Sequence, residues 1–127
     1  MLMTVSRILI ADDDRNLRNV LANELCVSGC QVSETDSGAG AMALLEKEEY
    51  DVLLLDLNMP GLSGIDVLKN IKTHEIPVEV IILTGHGTVS AAVEAMKLGA
   101  YDFLAKPFKM EELRAVVAKA HEKKKLL

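Results

Sequence analysis

The most restrictive feature of this chain is a set of short apolar runs, each closed by a polar residue. They are Ile8 to Ala11 before Asp12, Val52 to Leu55 before Asp56, Val80 to Leu83 before Thr84 and, more weakly, Phe103 to Ala105 before Lys106. A strand with one wet face alternates apolar and polar residues. A run that is apolar at every position needs cover on both faces, which is the condition of a strand in a parallel sheet. Gln31 to Glu34 alternates and predicts a poorer strand. Between these runs the period becomes helical: Leu17, Val20, Leu21 and Leu25 share one face, as do Val89, Ala92, Val93 and Met96. Further helices are expected over about Gly38 to Glu48, about Ser63 to Thr73, and from about Lys109 to the Lys-rich end, where Met110, Leu113, Val117 and Ala120 line one face. Gly29, Gly99 and Ile76-Pro77 mark helix ends. Strands alternating with single helices predict a doubly wound α/β domain, a parallel sheet with helices on both faces.

Composition narrows the function classes. With 127 residues, half of them apolar, the chain suits one domain with a substantial core. A net charge of −5 argues against direct nucleic-acid binding, because phosphate backbones are gripped by clustered Lys and Arg. Cys26 and Cys30 are too few for a disulfide framework and have no partner pair at zinc spacing, so they read as reduced thiols of a cytoplasmic protein. The opening MLMTVSRILIADDD has an apolar run too short for a signal peptide or a membrane span. Neither a membrane nor a nucleic acid is therefore expected as a direct partner.

Parallel strands bring their carboxyl ends to one rim, and ligands of open α/β sheets bind there. The rim predicted here carries Asp12, Asp13, Asp56, Thr84 and Lys106. Two carboxylates about 4 Å apart repel by roughly 4 kcal/mol at a surface-like dielectric, so such a cluster needs a cation. Oxygen ligands with open positions suit Mg²⁺, which keeps waters and recruits phosphates. The Thr84 hydroxyl and the Lys106 ammonium suit phosphoryl oxygens. A metal, a carboxylate nucleophile, a hydroxyl and a lysine together fit phosphoryl transfer to an aspartate. Asp56, the one acid that stands alone, is the expected acceptor.

Plainer readings exist for each residue. Asp14 suits the N-cap of the first helix, and Asp12 with Asp13 could do no more than cap. Asp56 could be a turn former, but Asn58, Pro60 and Gly61 already supply the turn chemistry. Thr84 could be a cap, Lys106 a solvated charge, His86 a surface side chain and Phe103 a packing aromatic. Lys123 to Lys125 suit the carbonyl end of a helix.

The ordered set ADDD at Ala11 to Asp14, LLLDLNMPGLSG at Leu53 to Gly64, LTGHG at Leu83 to Gly87 and GAYDFLAKPF at Gly99 to Phe108 resembles the receiver domain of two-component response regulators from end to end. The resemblance implies a flavodoxin-like five-stranded sheet in the order 2-1-3-4-5 and a single receiver domain over residues 1–127. It implies that Asp13, Asp56 and the backbone carbonyl of Asn58 bind Mg²⁺, with Asp12 acting largely through water. Asp56 would accept a phosphoryl group from a sensor histidine kinase, Lys106 would pair with it, Thr84 would turn toward it, and Phe103 would swing inward as a switch. The Lys106-Pro107 bond is often cis in that family, and the position of His86 can tune hydrolysis. A phosphorylation-dependent homodimer formed through the fourth helix, fifth strand and fifth helix is the expected output surface.

The wording TGHGTVSAAVEAMKLGAYDFLAKPF is similar to nitrogen-regulator-type activators, whose receivers precede an ATPase domain and a DNA-binding domain. Together with the abrupt end KKKLL, this predicts the N-terminal part of a longer regulator, with an output domain beyond this chain. A phosphohydrolase using Asp56 as nucleophile is the enzyme alternative. It would usually carry a second acid two residues on, where Asn58 stands. A flavodoxin-like cofactor binder is the third class, but DDDRN occupies the place of its Gly-rich loop.

Overall fold

The computed structural model describes residues 6–85 and 89–125, with Val89 placed by its backbone alone. His86, Gly87 and Thr88 lie outside the described residues. The order is β1 (Arg7–Ala11), α1 (Arg15–Val27), β2 (Gln31–Thr35), α2 (Gly38–Lys47), β3 (Val52–Asp56), α3 (Gly64–Thr73), β4 (Glu79–Thr84), α4 (Val89–Lys97), β5 (Asp102–Ala105) and α5 (Met110–Lys125). The strands form one sheet in the order β2-β1-β3-β4-β5, every neighbouring pair parallel. This is the doubly wound, flavodoxin-like arrangement that the apolar runs and the resemblance predict.

Strand alternation divides the core in two. Leu9, Leu53, Leu55, Val80 and Ile82 pack with α2, α3 and the small residue Ala95 of α4. Ile8, Ile10, Val52, Leu54, Ile81, Leu83 and Leu104 pack with Leu21 and Leu25 of α1 and with Leu113, Val117 and Ala120 of α5. The central strands β3 and β4 are buried at every position, which is why their sequences do not alternate. The edge strand β2 is only partly covered, which explains its weaker pattern.

Helix ends follow local chemistry. Asp14 caps α1 by accepting from the Leu17 N–H at 3.1 Å, and Ser63 forms a reciprocal capping box with Asp66 at the start of α3. Gly29 and Gly99, at φ +94° and +102°, close α1 and α4. Their amides reach back to the carbonyls of Cys26 and Met96, and the next residues reach Leu25 and Ala95, as the left-handed helix stop requires.

Two expected helical faces are corrected. Val20 is 52% exposed although helical spacing groups it with the buried Leu21 and Leu25. On α4 the buried positions are Ala92 and Ala95, whereas Val93 and Met96 are exposed. Small alanines let α4 approach the sheet, and the larger apolar residues of the same helix are left facing solvent.

Candidate functional site

Register explains how the rim assembles. Ala11 is opposite Leu55, Asp56 is opposite Leu83, and Thr84 is opposite Ala105. One residue past Ala11 therefore sets Asp12 beside Asp56, and one residue past Ala105 brings in Lys106. Asp12 and Asp56 share parity with Ile10 and Leu54, so their side chains belong to the α1/α5 side of the sheet. Thr84 and Phe103 share parity with Ile82, on the α4 side.

Carboxylate oxygens of Asp12, Asp13 and Asp56 lie within 4.8 Å of one another. Asp12 is wholly inaccessible and Asp56 is 4% exposed, whereas Asp13 is open to solvent. Both oxygens of Asp12 are engaged: Oδ1 accepts from the Asp14 N–H at 2.9 Å, and Oδ2 accepts from Lys106 Nζ at 3.0 Å. Asp56 Oδ1 accepts from the Asn58 N–H at 3.1 Å and stands 3.8 Å from Lys106 Nζ. Lys106 thus bridges the two buried acids and is nearer to Asp12. Its own N–H donates to the Thr84 carbonyl at 2.6 Å, and the Lys106-Pro107 peptide is cis.

Asp56 is both buried and crowded by like charge. Its pKa is pushed from 3.8 up to about 6, first by burial and then by the charges of Asp12 and Asp13. The Asn58 N–H and the Lys106 ammonium oppose this shift. At pH 7 such a group is about nine-tenths ionised, so it remains a carboxylate, but a strained one. The three acids offer hard oxygens within reach of one another, the chemistry a divalent cation such as Mg²⁺ requires.

Every expected rim residue is brought to this end of the sheet, but not to one place. Asp12, Asp13, Asp56 and Lys106 cluster, with Asn58 on the adjoining loop. Thr84 is buried on the other side of the sheet end, and Phe103 is 44% exposed beside α4, so it is not the packing aromatic that its type suggests. A hollow of about 400 Å³ opens next to Lys106, lined by Asp14, Leu17, Gly85, Pro107, Phe108 and Met110.

Two further residues support the rim through backbone groups. A Cβ on Gly64 would stand 2.6 Å from the Asp56 carbonyl oxygen, so only glycine lets α3 start directly against the end of β3. Arg18 Nη1 donates to the Asp12 carbonyl at 2.8 Å, although its position suggests ordinary surface charge.

Residues 8–118 match the family model described as "Response regulator receiver domain". The chain is 37% identical over 116 residues to the regulatory protein AtoC of Escherichia coli K12. It is 40% identical over 111 residues to the DNA-binding transcriptional regulator NtrC of the same organism. These alignments cover 91% and 87% of this chain but 25% and 24% of those proteins, so the chain spans about a quarter of their length. The crystal structure of a response regulator receiver domain protein from Clostridium thermocellum superposes with a TM-score of 0.90 at 34% identity, covering 96% of this chain and 98% of that one. No helix of the described residues is long and apolar enough to cross a membrane. With the sheet order, the acidic rim and these matches in agreement, the chain belongs to the response-regulator receiver domains, of the kind carried by NtrC-type activators.

Proposed function

We propose that this receiver domain is a phosphorylation switch in which Asp56 takes a phosphoryl group from the phosphohistidine of a sensor kinase. The observation that carries the reading is a carboxylate buried at the end of the central strand, flanked by two further acids within 4.8 Å and a lysine at 3.8 Å. A carboxylate oxygen of Asp56 attacks phosphorus, the bond from phosphorus to the donor imidazole nitrogen breaks, and that nitrogen leaves with the electron pair and takes up a proton. Asn58 and Lys106 both approach Oδ1 of Asp56, which leaves the other oxygen open to attack.

Asp13, Asp56 and the Asn58 carbonyl would hold Mg²⁺ directly. Asp12, with both oxygens already engaged, would act through water. Bound Mg²⁺ supplies positive charge that offsets the gathering phosphoryl oxygens. Lys106 is poised to turn from Asp12 toward the new phosphoryl group, and the Thr84 hydroxyl donates to it from the opposite side. The hollow beside Lys106 offers an apolar seat for the donor.

Phosphorylation adds about two negative charges and three strong acceptor oxygens. Thr84 moves to meet them and Phe103, on the same side of the sheet, turns inward. Burying that ring is worth roughly 1.5–3 kcal/mol, enough to bias a two-state loop. The changed surface is α4, β5 and α5, where Val93, Met96 and Phe103 are exposed, and its output is a homodimer. In this reading the chain is the N-terminal part of a longer cytoplasmic regulator, and its output domain does the nucleic-acid binding.

Mass spectrometry after incubation with acetyl phosphate and Mg²⁺ tests the acceptor. Wild type should gain one phosphoryl group and Asp56→Asn none; a stoichiometric adduct on the variant would sink the assignment. Sedimentation with and without beryllofluoride, a phosphoryl mimic, tests the dimer. Unchanged association, with NMR shifts confined to the acidic rim, would mean a phosphate acceptor without this switch.

A further inference from the structure

Asp12 and Asp13 sit on one tight loop, and the direction in which the exposed Asp13 leaves the backbone depends on the peptide plane between them. The Asp12 carbonyl oxygen belongs to the same rigid planar unit as the amide nitrogen and Cα of Asp13. Arg18, in the first turn of α1, reaches back and donates from Nη1 to that oxygen at 2.8 Å. The guanidinium is tied down from a second element: its Nε lies 3.4 Å from Glu34 Oε1 on β2. Only 16% of the Arg18 side chain is exposed, and Nε itself is buried without a well-formed hydrogen bond. A largely buried guanidinium, ion-paired to the edge strand, thus holds the carbonyl of the loop that carries two of the three acids.

We propose that Arg18 is a positioning residue for the cation site, aiming Asp13 at Asp56 and so setting the affinity for Mg²⁺. This rests on the reading that the acidic cluster holds Mg²⁺. Charge alone predicts the opposite sign. A guanidinium near the cluster repels a divalent cation, so its removal would tighten binding if Arg18 acted only through its field.

Calorimetric titration of the metal-free protein with Mg²⁺ decides between them. Arg18→Met should weaken binding about tenfold, the scale seen when a partner orienting a metal ligand is lost. Arg18→Lys should fall between, because an ammonium can serve the carbonyl but has no second nitrogen to pair with Glu34 at the same time. Glu34→Gln should lose less than Arg18→Met. A readout independent of metal is amide-hydrogen exchange at Asp14, whose N–H donates to Asp12 Oδ1; it should quicken in Arg18→Met. Equal or tighter Mg²⁺ binding by Arg18→Met, with unchanged exchange at Asp14, overturns the proposal. If Arg18→Met fails to fold, Arg18→Lys and Glu34→Gln carry the test, and wild-type affinity in both overturns it. A wild-type protein that binds no Mg²⁺ would instead overturn the reading of the cluster itself.

Discussion

The α1/α5 side of the central sheet and the α4 end of its opposite side are built differently. On the α1/α5 side, large side chains interlock: Ile10, Leu54 and Leu83 meet Leu21, Leu25, Leu113 and Val117. The carboxylates of Asp12 and Asp56 emerge from that side, held by Lys106 and by amides of the adjoining loops. On the α4 side, the helix meets the sheet through alanines, and Val93, Met96 and Phe103 remain outside. Charge chemistry needs fixed distances, and dense packing supplies them. A surface that must change needs a low cost of rearrangement, which small interlocking groups and an exposed ring provide. Thr84 belongs to the α4 side by parity and is buried at the end of β4.

The sharpest probe of this contrast is a pair of neighbours on β5. Leu104 is 6% exposed and faces the α1/α5 core, while Phe103 is 44% exposed and faces the α4 side. Leu104→Ala should cost about 2–5 kcal/mol through lost burial and a cavity. Phe103→Ala should cost less than about 1 kcal/mol in the unphosphorylated protein, as a largely solvated ring leaves little to lose. Urea unfolding of both variants measures the difference. Comparable losses would mean that Phe103 already packs as tightly as Leu104, and the α4 side would have no slack for a switch.

That contrast was half legible in the sequence. The unbroken runs of β3 and β4 announce strands buried on both faces, and the polar residue after each run gives the rim once the strands are parallel. That Thr84 and Phe103 share one side needed the register between β4 and β5. The rotation of α4 was not legible, because Val93 and Met96 weigh more in an apolar count than Ala92 and Ala95, yet only the alanines let the helix come close. The contacts that Gly64 and Arg18 make were also silent. Each acts through a backbone group far along the chain, the Asp56 carbonyl for one and the Asp12 carbonyl for the other, and side-chain spacing carries no trace of such contacts. His86, a candidate for tuning hydrolysis, lies outside the described residues.

The strain on the α1/α5 side should also appear as pH dependence. Asp56 titrates at about 6 in the folded chain against 3.8 ordinarily. Between those values the folded state keeps a proton that the unfolded state has released, so the group's contribution to stability falls as pH rises through that window. Above about pH 6 the whole penalty is present. Asp56→Asn carries no charge to desolvate and should therefore be more stable than wild type by about 1–3 kcal/mol at pH 7. The advantage should shrink toward zero near pH 4. Denaturant unfolding in the absence of divalent cations, at several pH values between these limits, follows it. A gain independent of pH would trace the effect to packing or hydrogen bonding and would remove the electrostatic distinction between the two sides.

The smallest effect separates the acids from one another. Mg²⁺ at ten times its Kd should stabilise the wild type by about 1.4 kcal/mol, because it binds the folded rim and not the unfolded chain. Asp13→Ala should abolish most of that increment, since it removes an exposed carboxylate whose oxygen lies within 4.8 Å of those of Asp12 and Asp56. Asp14→Ala should behave otherwise. Its carboxylate caps α1 through the Leu17 amide, so its loss should lower the baseline by about 1 kcal/mol and leave the Mg²⁺ increment intact. Phe103→Ala, on the far side of the sheet, should leave the Mg²⁺ increment intact and lower the baseline by less than about 1 kcal/mol. Thermal unfolding of the four proteins with and without Mg²⁺ gives both quantities at once. If Asp13→Ala and Asp14→Ala lost equal increments, the acids would form a diffuse patch rather than a site. The fixed geometry ascribed to the α1/α5 side would then have no cation to serve.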